Sequence, residues 1–200
     1  MKNFIEVGKT EDEQEQQIKK WIKENALQIV AGITLGLGGI WGLDAYKAYQ
    51  YQQSVNARTL YLNASPVVFE QLNADHADSG YLQQATLMQA KTAAKNKNYE
   101  LALQHLSTLT DDENTLIANI ATMRIANVQL EMGDFSKAIA TLNSKESGEF
   151  NGLYNQLKGD IYVADGKINK AKEHYKLALT QISKDSELQS LINIKLADLN

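Results

Sequence analysis

Nineteen consecutive residues, Asn25 to Leu43, carry no charge: NALQIVAGITLGLGGIWGL, closed off by Glu24 and Asp44. As a helix at about 1.5 Å per residue this window spans roughly 28 Å, close to the hydrocarbon thickness of a bilayer. Trp21 precedes it and Trp41, Tyr46, Tyr49 and Tyr51 follow, the placement of aromatic anchors at a membrane interface. Five glycines inside the window would weaken a water-exposed helix but are tolerated in a membrane one. A glycine-rich phosphate loop does not fit, because no Lys-Ser/Thr pair follows "GLGG". A buried helix of a soluble protein is the plainer alternative.

A cleaved signal peptide fits poorly. Its leader is short and basic, and a small-residue cleavage site follows the apolar run. Here Glu6, Glu11, Asp12, Glu13, Glu15 and Glu24 precede the window and no such site follows. The segment therefore reads as an uncleaved anchor. Thr10 and Glu13 match a capping box, so a polar helix is expected from about Glu11 into the span. Lys9, Lys19, Lys20 and Lys23 lie before the window, against Lys47 and Arg58 after it. That bias expects a cytoplasmic N-terminus and an outward-facing remainder. Gly32, Gly36 and Gly39 share one helical face, where another membrane helix can approach closely. They are the candidate transmembrane helix contact.

The rest of the chain reads as helix throughout, with one proline and no cysteine in 200 residues. Without cysteine there is no disulfide framework and no thiolate site. Residues 45–64 look like a continuation of the membrane helix. Ser65 and Pro66 match an N-cap and first helical position, so a short helix is expected from Pro66 to about Asn73. "ADHADSG" then breaks the chain.

From Asp78 a degenerate repeat emerges. "ATLMQAKTAAKNKNYELALQHL", "ATMRIANVQLEMGDFSKAIATL" and "NQLKGDIYVADGKINKAKEHYK" each hold a helical stretch, a polar turn, and an aromatic or aliphatic residue with alanine three positions on. Those pairs are Tyr99/Ala102, Phe135/Ala138 and Ile168/Ala171. Their spacing is that of tetratricopeptide-like helix–turn–helix repeats, about 34 residues. Gly133 and Gly166 fall where the first helix of a pair must stop. Ala102, Ala138 and Ala171 mark helix crossings, matched by Ala90, Ala126 and Gly159 on the first helices. Thr110 and Glu113 suggest another capping box. "DSELQSLINIKLADL", with Leu188, Leu191, Ile192, Leu196 and Leu199, suits a terminal cap over the last apolar face. The expected fold is all-α: a single N-terminal transmembrane helix followed by a tetratricopeptide-like solenoid. The expected parts are a polar segment 1–24, the span 25–43, a juxtamembrane helical linker 44–77 and a repeat domain 78–200.

This layout resembles the YfgM-like family of ancillary subunits of the bacterial Sec translocon. Its most specific parts are "GITLGLGGIWGLDAYKAYQ", "LKGDIYVADGKINKAKEHYKLAL" and "LINIKLADLN". The resemblance implies an inner-membrane protein with periplasmic repeats. It implies SecYEG and the membrane-anchored periplasmic chaperone PpiD as partners. It also implies chaperone-like help to unfolded or nascent periplasmic and outer-membrane proteins leaving the channel.

No motif points to catalysis, cofactor or metal. His76, His105 and His174 lack metal-ligand spacing, and no nucleophile or paired carboxylates stand out. A basic patch for nucleic acid is missing, since the chain is net −4 and phosphate binding wants concentrated positive charge. What remains is the concave face that stacked repeats offer to peptides. The repeat register points Met88, Lys91, Lys95, Met123, Asn127, Leu130, Gln156, Asp160 and Val163 toward it. Methionine and leucine suit adaptable apolar contacts, and the lysines suit acidic side chains. A groove clamping the carboxylate tails of chaperones would need more lysines and asparagines than this. Two readings stay open: a translocon-associated, chaperone-like subunit, or a scaffold or regulatory module for an envelope complex or a cytoplasmic regulator.

Overall fold

The computed structural model describes residues 11–63, 66–145 and 148–199, and all of their regular structure is helical. The chain forms two compact units, divided between Asn56 and Ala57.

The first unit is the greater part of α1 (Glu11–Asn63). Glu11, Asp12 and Glu13 in its first turn favour the positive end of the helix dipole. Thr10, the expected cap, lies outside the described residues. The apolar window lies wholly on the surface: Leu27 is 84% exposed, Leu35 77% and Trp41 78%. None of the apolar stretch is buried among the described residues. Two of its polar side chains are satisfied within the helix. Asn25 Nδ2 donates to the Trp21 carbonyl and Thr34 Oγ1 to the Val30 carbonyl, each at 2.8 Å. Each bond lowers the cost of placing that side chain in an apolar medium. This helix is long and apolar enough to cross a membrane.

The second unit holds three helical hairpins and a cap. They are α3 (Gly80–Lys95) with α4 (Tyr99–Ser107), α5 (Thr115–Glu131) with α6 (Phe135–Asn143), and α7 (Asn151–Ala164) with α8 (Ile168–Gln181). The cap is α9 (Glu187–Ala197). Ahead of them, the end of α1 and α2 (Pro66–Asp75) pack Ala57 and Leu72 against Ala85 of α3. The expected proline-led helix is thus present; its proposed cap, Ser65, lies outside the described residues.

Each hairpin turns by the same device. The amides of Asn98, Asp134 and Lys167 reach back five residues to the carbonyls of Ala93, Gln129 and Tyr162 at 2.8–2.9 Å. The residue before each is left-handed: Lys97 at φ 60°, Gly133 at 78° and Gly166 at 71°. This closing bond satisfies a terminal carbonyl and requires that backbone. Glycine meets the requirement freely in the second and third repeats. Lysine meets it in the first at a cost of roughly 1–2 kcal/mol.

All six small residues at the helix crossings are buried: Ala90, Ala102, Ala126, Ala138, Gly159 and Ala171. At Gly159 the Tyr175 ring occupies the space a methyl would fill. Among the described residues no buried side-chain nitrogen or oxygen lacks a hydrogen-bond partner. Tyr154, whose burial pushes its hydroxyl pKa up, donates to Asn119 Oδ1 at 2.8 Å and ties α7 to α5.

Two local expectations are corrected. The helix expected from Thr110 starts at Thr115 and is capped by Asn114, which accepts from the Leu116 amide at 3.1 Å. Thr110 turns its hydroxyl back to the Ser107 carbonyl instead, so it serves the end of α4. On α9, Ile192 is buried and Leu196 and Leu199 pack on the α8 cluster. Leu191, counted with the buried face, is 43% exposed.

Candidate functional site

The residues expected on the concave face separate into five settings. Lys91 and Lys95 of α3 and Asn127 of α5 line one cavity of about 380 Å³, with Ala90, Ala94, Leu106, Val128 and Arg124. Its floor is small and apolar, and its rim carries the three cations and the amide. Met88 lies elsewhere, half-buried in a narrow recess beneath Tyr61, Phe69 and Leu72. Met123 and Leu130 pack partly buried on the second hydrophobic cluster, against Ala126, Ala138, Leu142, Tyr154, Leu157 and Ile161.

Gln156 and Asp160 belong to a polar junction that seats the cap. Asp160 Oδ1 accepts from the Tyr175 hydroxyl at 2.6 Å, and both its oxygens accept from Lys195 Nζ of α9 at 2.6 and 2.7 Å. Gln156 Nε2 adds a fourth bond at 2.7 Å. Burial, with Asp160 alongside, holds the Tyr175 phenol far above its ordinary pKa. Val163, one turn further on, is 36% exposed.

Arg124 is the residue the sequence reading missed. The signal was present: Lys91 and Asn127 are 36 positions apart, as are the hairpin residues Tyr99 and Phe135. The same step from Met88 lands on Arg124 rather than Met123. In place, Arg124 donates Nη1–H to the Leu87 carbonyl at 3.1 Å, which fixes it across the α3–α5 boundary.

Two of the three histidines, His105 and His174, serve packing. His105 meets Phe69 edge-on with centroids 5.7 Å apart. His174 stacks on Tyr162 and pairs through Nδ1 with Asn155; burial, then Lys158, lowers its pKa. Along α1, an added methyl at Gly32, Gly36 or Gly39 would meet open space.

A family model described as a tetratricopeptide repeat-like domain matches residues 19–200. An ancillary SecYEG translocon subunit of Haemophilus influenzae is 30% identical over 94% of this chain and 98% of its own. The chain belongs to the family of ancillary SecYEG translocon subunits. The proteins of that name from Aggregatibacter actinomycetemcomitans and Escherichia coli are 28% and 22% identical. They align over 94% and 81% of this chain, and 98% and 84% of their own. No solved structure matches. For an ancillary translocon subunit, both parts of the architecture have an evident place. The family and the exposed apolar helix fit a membrane-anchored protein, and the hairpins are the repeats of the family model.

Proposed function

We propose that this protein is a single-pass inner-membrane subunit associated with the SecYEG translocon. In this reading the N-terminus is cytoplasmic and the repeats are periplasmic. They hold unfolded or nascent periplasmic and outer-membrane proteins as these leave the channel, alongside the chaperone PpiD. No reaction is assigned to it; it acts by binding. Family membership through relatives named as translocon subunits over nearly their whole length carries the proposal. The uncovered apolar window of α1 supports a contact within the bilayer. Gly32, Gly36 and Gly39 are where a neighbouring helix would pack most closely.

The division of labour follows from affinity. Exposed contacts on a shallow repeat face are individually weak, but tethering beside the exit channel raises the effective client concentration to roughly millimolar. Lys91, Lys95, Met123, Asn127, Leu130 and Val163 are the proposed client-facing set. Met88, Gln156 and Asp160, held against α2 and α9, contribute by shaping that face.

Topology tests the proposal. With a tag at Asn200, protease added to spheroplasts is expected to digest the C-terminal unit and the tag, while the intact chain keeps its original N-terminus. A protected tag, or a mature chain beginning after Leu43, contradicts it.

A further inference from the structure

The boundary between α3 and α5 holds three cations that make no ion pair within 4 Å among the described residues. Lys91 and Lys95 stand one turn apart on α3, which has no acidic residue. Arg124 stands across from them on α5, whose one acid, Glu131, is its last residue. Ion pairs among the described residues involve Lys19, Lys20, Lys137, Lys167 and Lys195, and none of these three cations. Arg124's bond to the Leu87 carbonyl uses a neutral acceptor and one of five N–H donors. The chain as a whole is net −4, so the cluster does not reflect general basicity. Between the cations lies the cavity of about 380 Å³, floored by Ala90, Ala94, Leu106 and Val128.

The geometry points to a segment-selective site, resting on the reading that the repeats bind extended polypeptide. The cavity takes one apolar side chain of an extended segment whose flanking residues are aspartate or glutamate. The floor removes the apolar side chain from water. Lys91, Lys95 and Arg124 meet the flanking carboxylates, and the Asn127 amide meets the segment's backbone. An anionic bilayer surface is the poorer occupant. Membrane surfaces draw basic clusters by general attraction, whereas these cations ring a recess with an apolar floor. Rim charges add more to selectivity than to affinity, so the site selects among segments and does not hold any of them tightly.

Full-length protein in detergent micelles is titrated with three fluorescent peptides in a Gly-Ser frame. One has leucine flanked on both sides by Asp-Glu; one has lysines replacing the acids; one keeps the acids with serine replacing leucine. The acidic leucine peptide is expected to bind roughly tenfold tighter than the other two at low salt. That advantage shrinks as salt rises. The double variant Lys91→Glu/Lys95→Glu alters two exposed side chains and is expected to reverse the order in favour of the lysine peptide. An unchanged order in the double variant, or equal binding of all three peptides, overturns the inference. So does binding to phosphatidylglycerol vesicles that the double variant abolishes while no peptide is discriminated. A photoreactive residue at position 127 separates this from the broader proposal. If the three peptides crosslink there equally, the repeats bind clients without charge selection. If none crosslinks there, client binding on this face fails as well.

Discussion

Replacing Ala138 with tryptophan is expected to abolish the cooperative unfolding transition of the repeat unit. Ala138 is fully buried where α6 crosses α5, against Ala126, Leu142 and Tyr154. An indole there has no space without separating the two helices. Overpacking by smaller increments already costs about 1–3 kcal/mol, and domains of this kind hold only about 5–15 kcal/mol in total. Adjacent repeats stabilise one another through their interfaces, so a hairpin forced open in the middle weakens both neighbours. Circular dichroism melting of the full chain in detergent measures this. A melting temperature equal to that of the parent would contradict the crossing assigned to Ala138.

Gly159→Ala is the second large effect and the smallest possible substitution. The added methyl would overlap the Tyr175 ring. That ring is buried and tethered at its hydroxyl to Asp160, so it cannot swing aside without breaking the bond. The loss is expected at about 2–3 kcal/mol, combining overpacking with a weakened charge-assisted bond. It is read as a fall of roughly 5–10 °C in melting temperature. Combining Gly159→Ala with Tyr175→Leu should cost less than the sum of the two separate losses, since both act on one contact. Strict additivity would mean that the ring does not limit position 159.

The repeat architecture was legible because its constraints are local. Helix crossings need small residues, and hairpin turns need a left-handed residue two positions before the next helix. Ala102, Ala138, Ala171, Gly133 and Gly166 display both. The first turn was harder to read, because Lys97 adopts the left-handed conformation that glycine adopts in the other two. The start of α5 was misplaced because two caps competed. Thr110 had the right spacing to Glu113, but Asp112 and Asn114 offered shorter connections to the backbone amides.

The candidate site was legible in part, for a different reason. Periodicity orders positions around a helix but does not say which of them a neighbour will cover. Lys91, Lys95 and Asn127 remain exposed at one open cavity. Asp160 follows Asn127, and Gln156 follows Met123, by the 33 positions that separate Phe135 from Ile168, yet Tyr175 and Lys195 of α9 occupy the Asp160 carboxylate and Gln156 donates to it. Arg124 was lost to a slip of one residue, about 100° around a helix. The apolar window needed no such placement: nineteen uncharged residues state its length and character directly.

The most direct test of the translocon association is recovery from the membrane. The full-length chain, tagged at its C-terminus, is extracted in mild detergent and the co-purifying SecYEG is quantified. Two variants run beside it, one with Gly36→Leu and one lacking residues 78–200. The parent chain is expected to recover SecYEG. Gly36→Leu is expected to recover clearly less at equal expression, because added bulk keeps a neighbouring helix from close approach. The truncated chain should keep a share of the contact through α1. Absence of SecYEG from the parent preparation, with the translocon intact in the same extract, would contradict the association itself. Recovery unchanged by Gly36→Leu and abolished by the truncation would show that α1 only anchors the repeats.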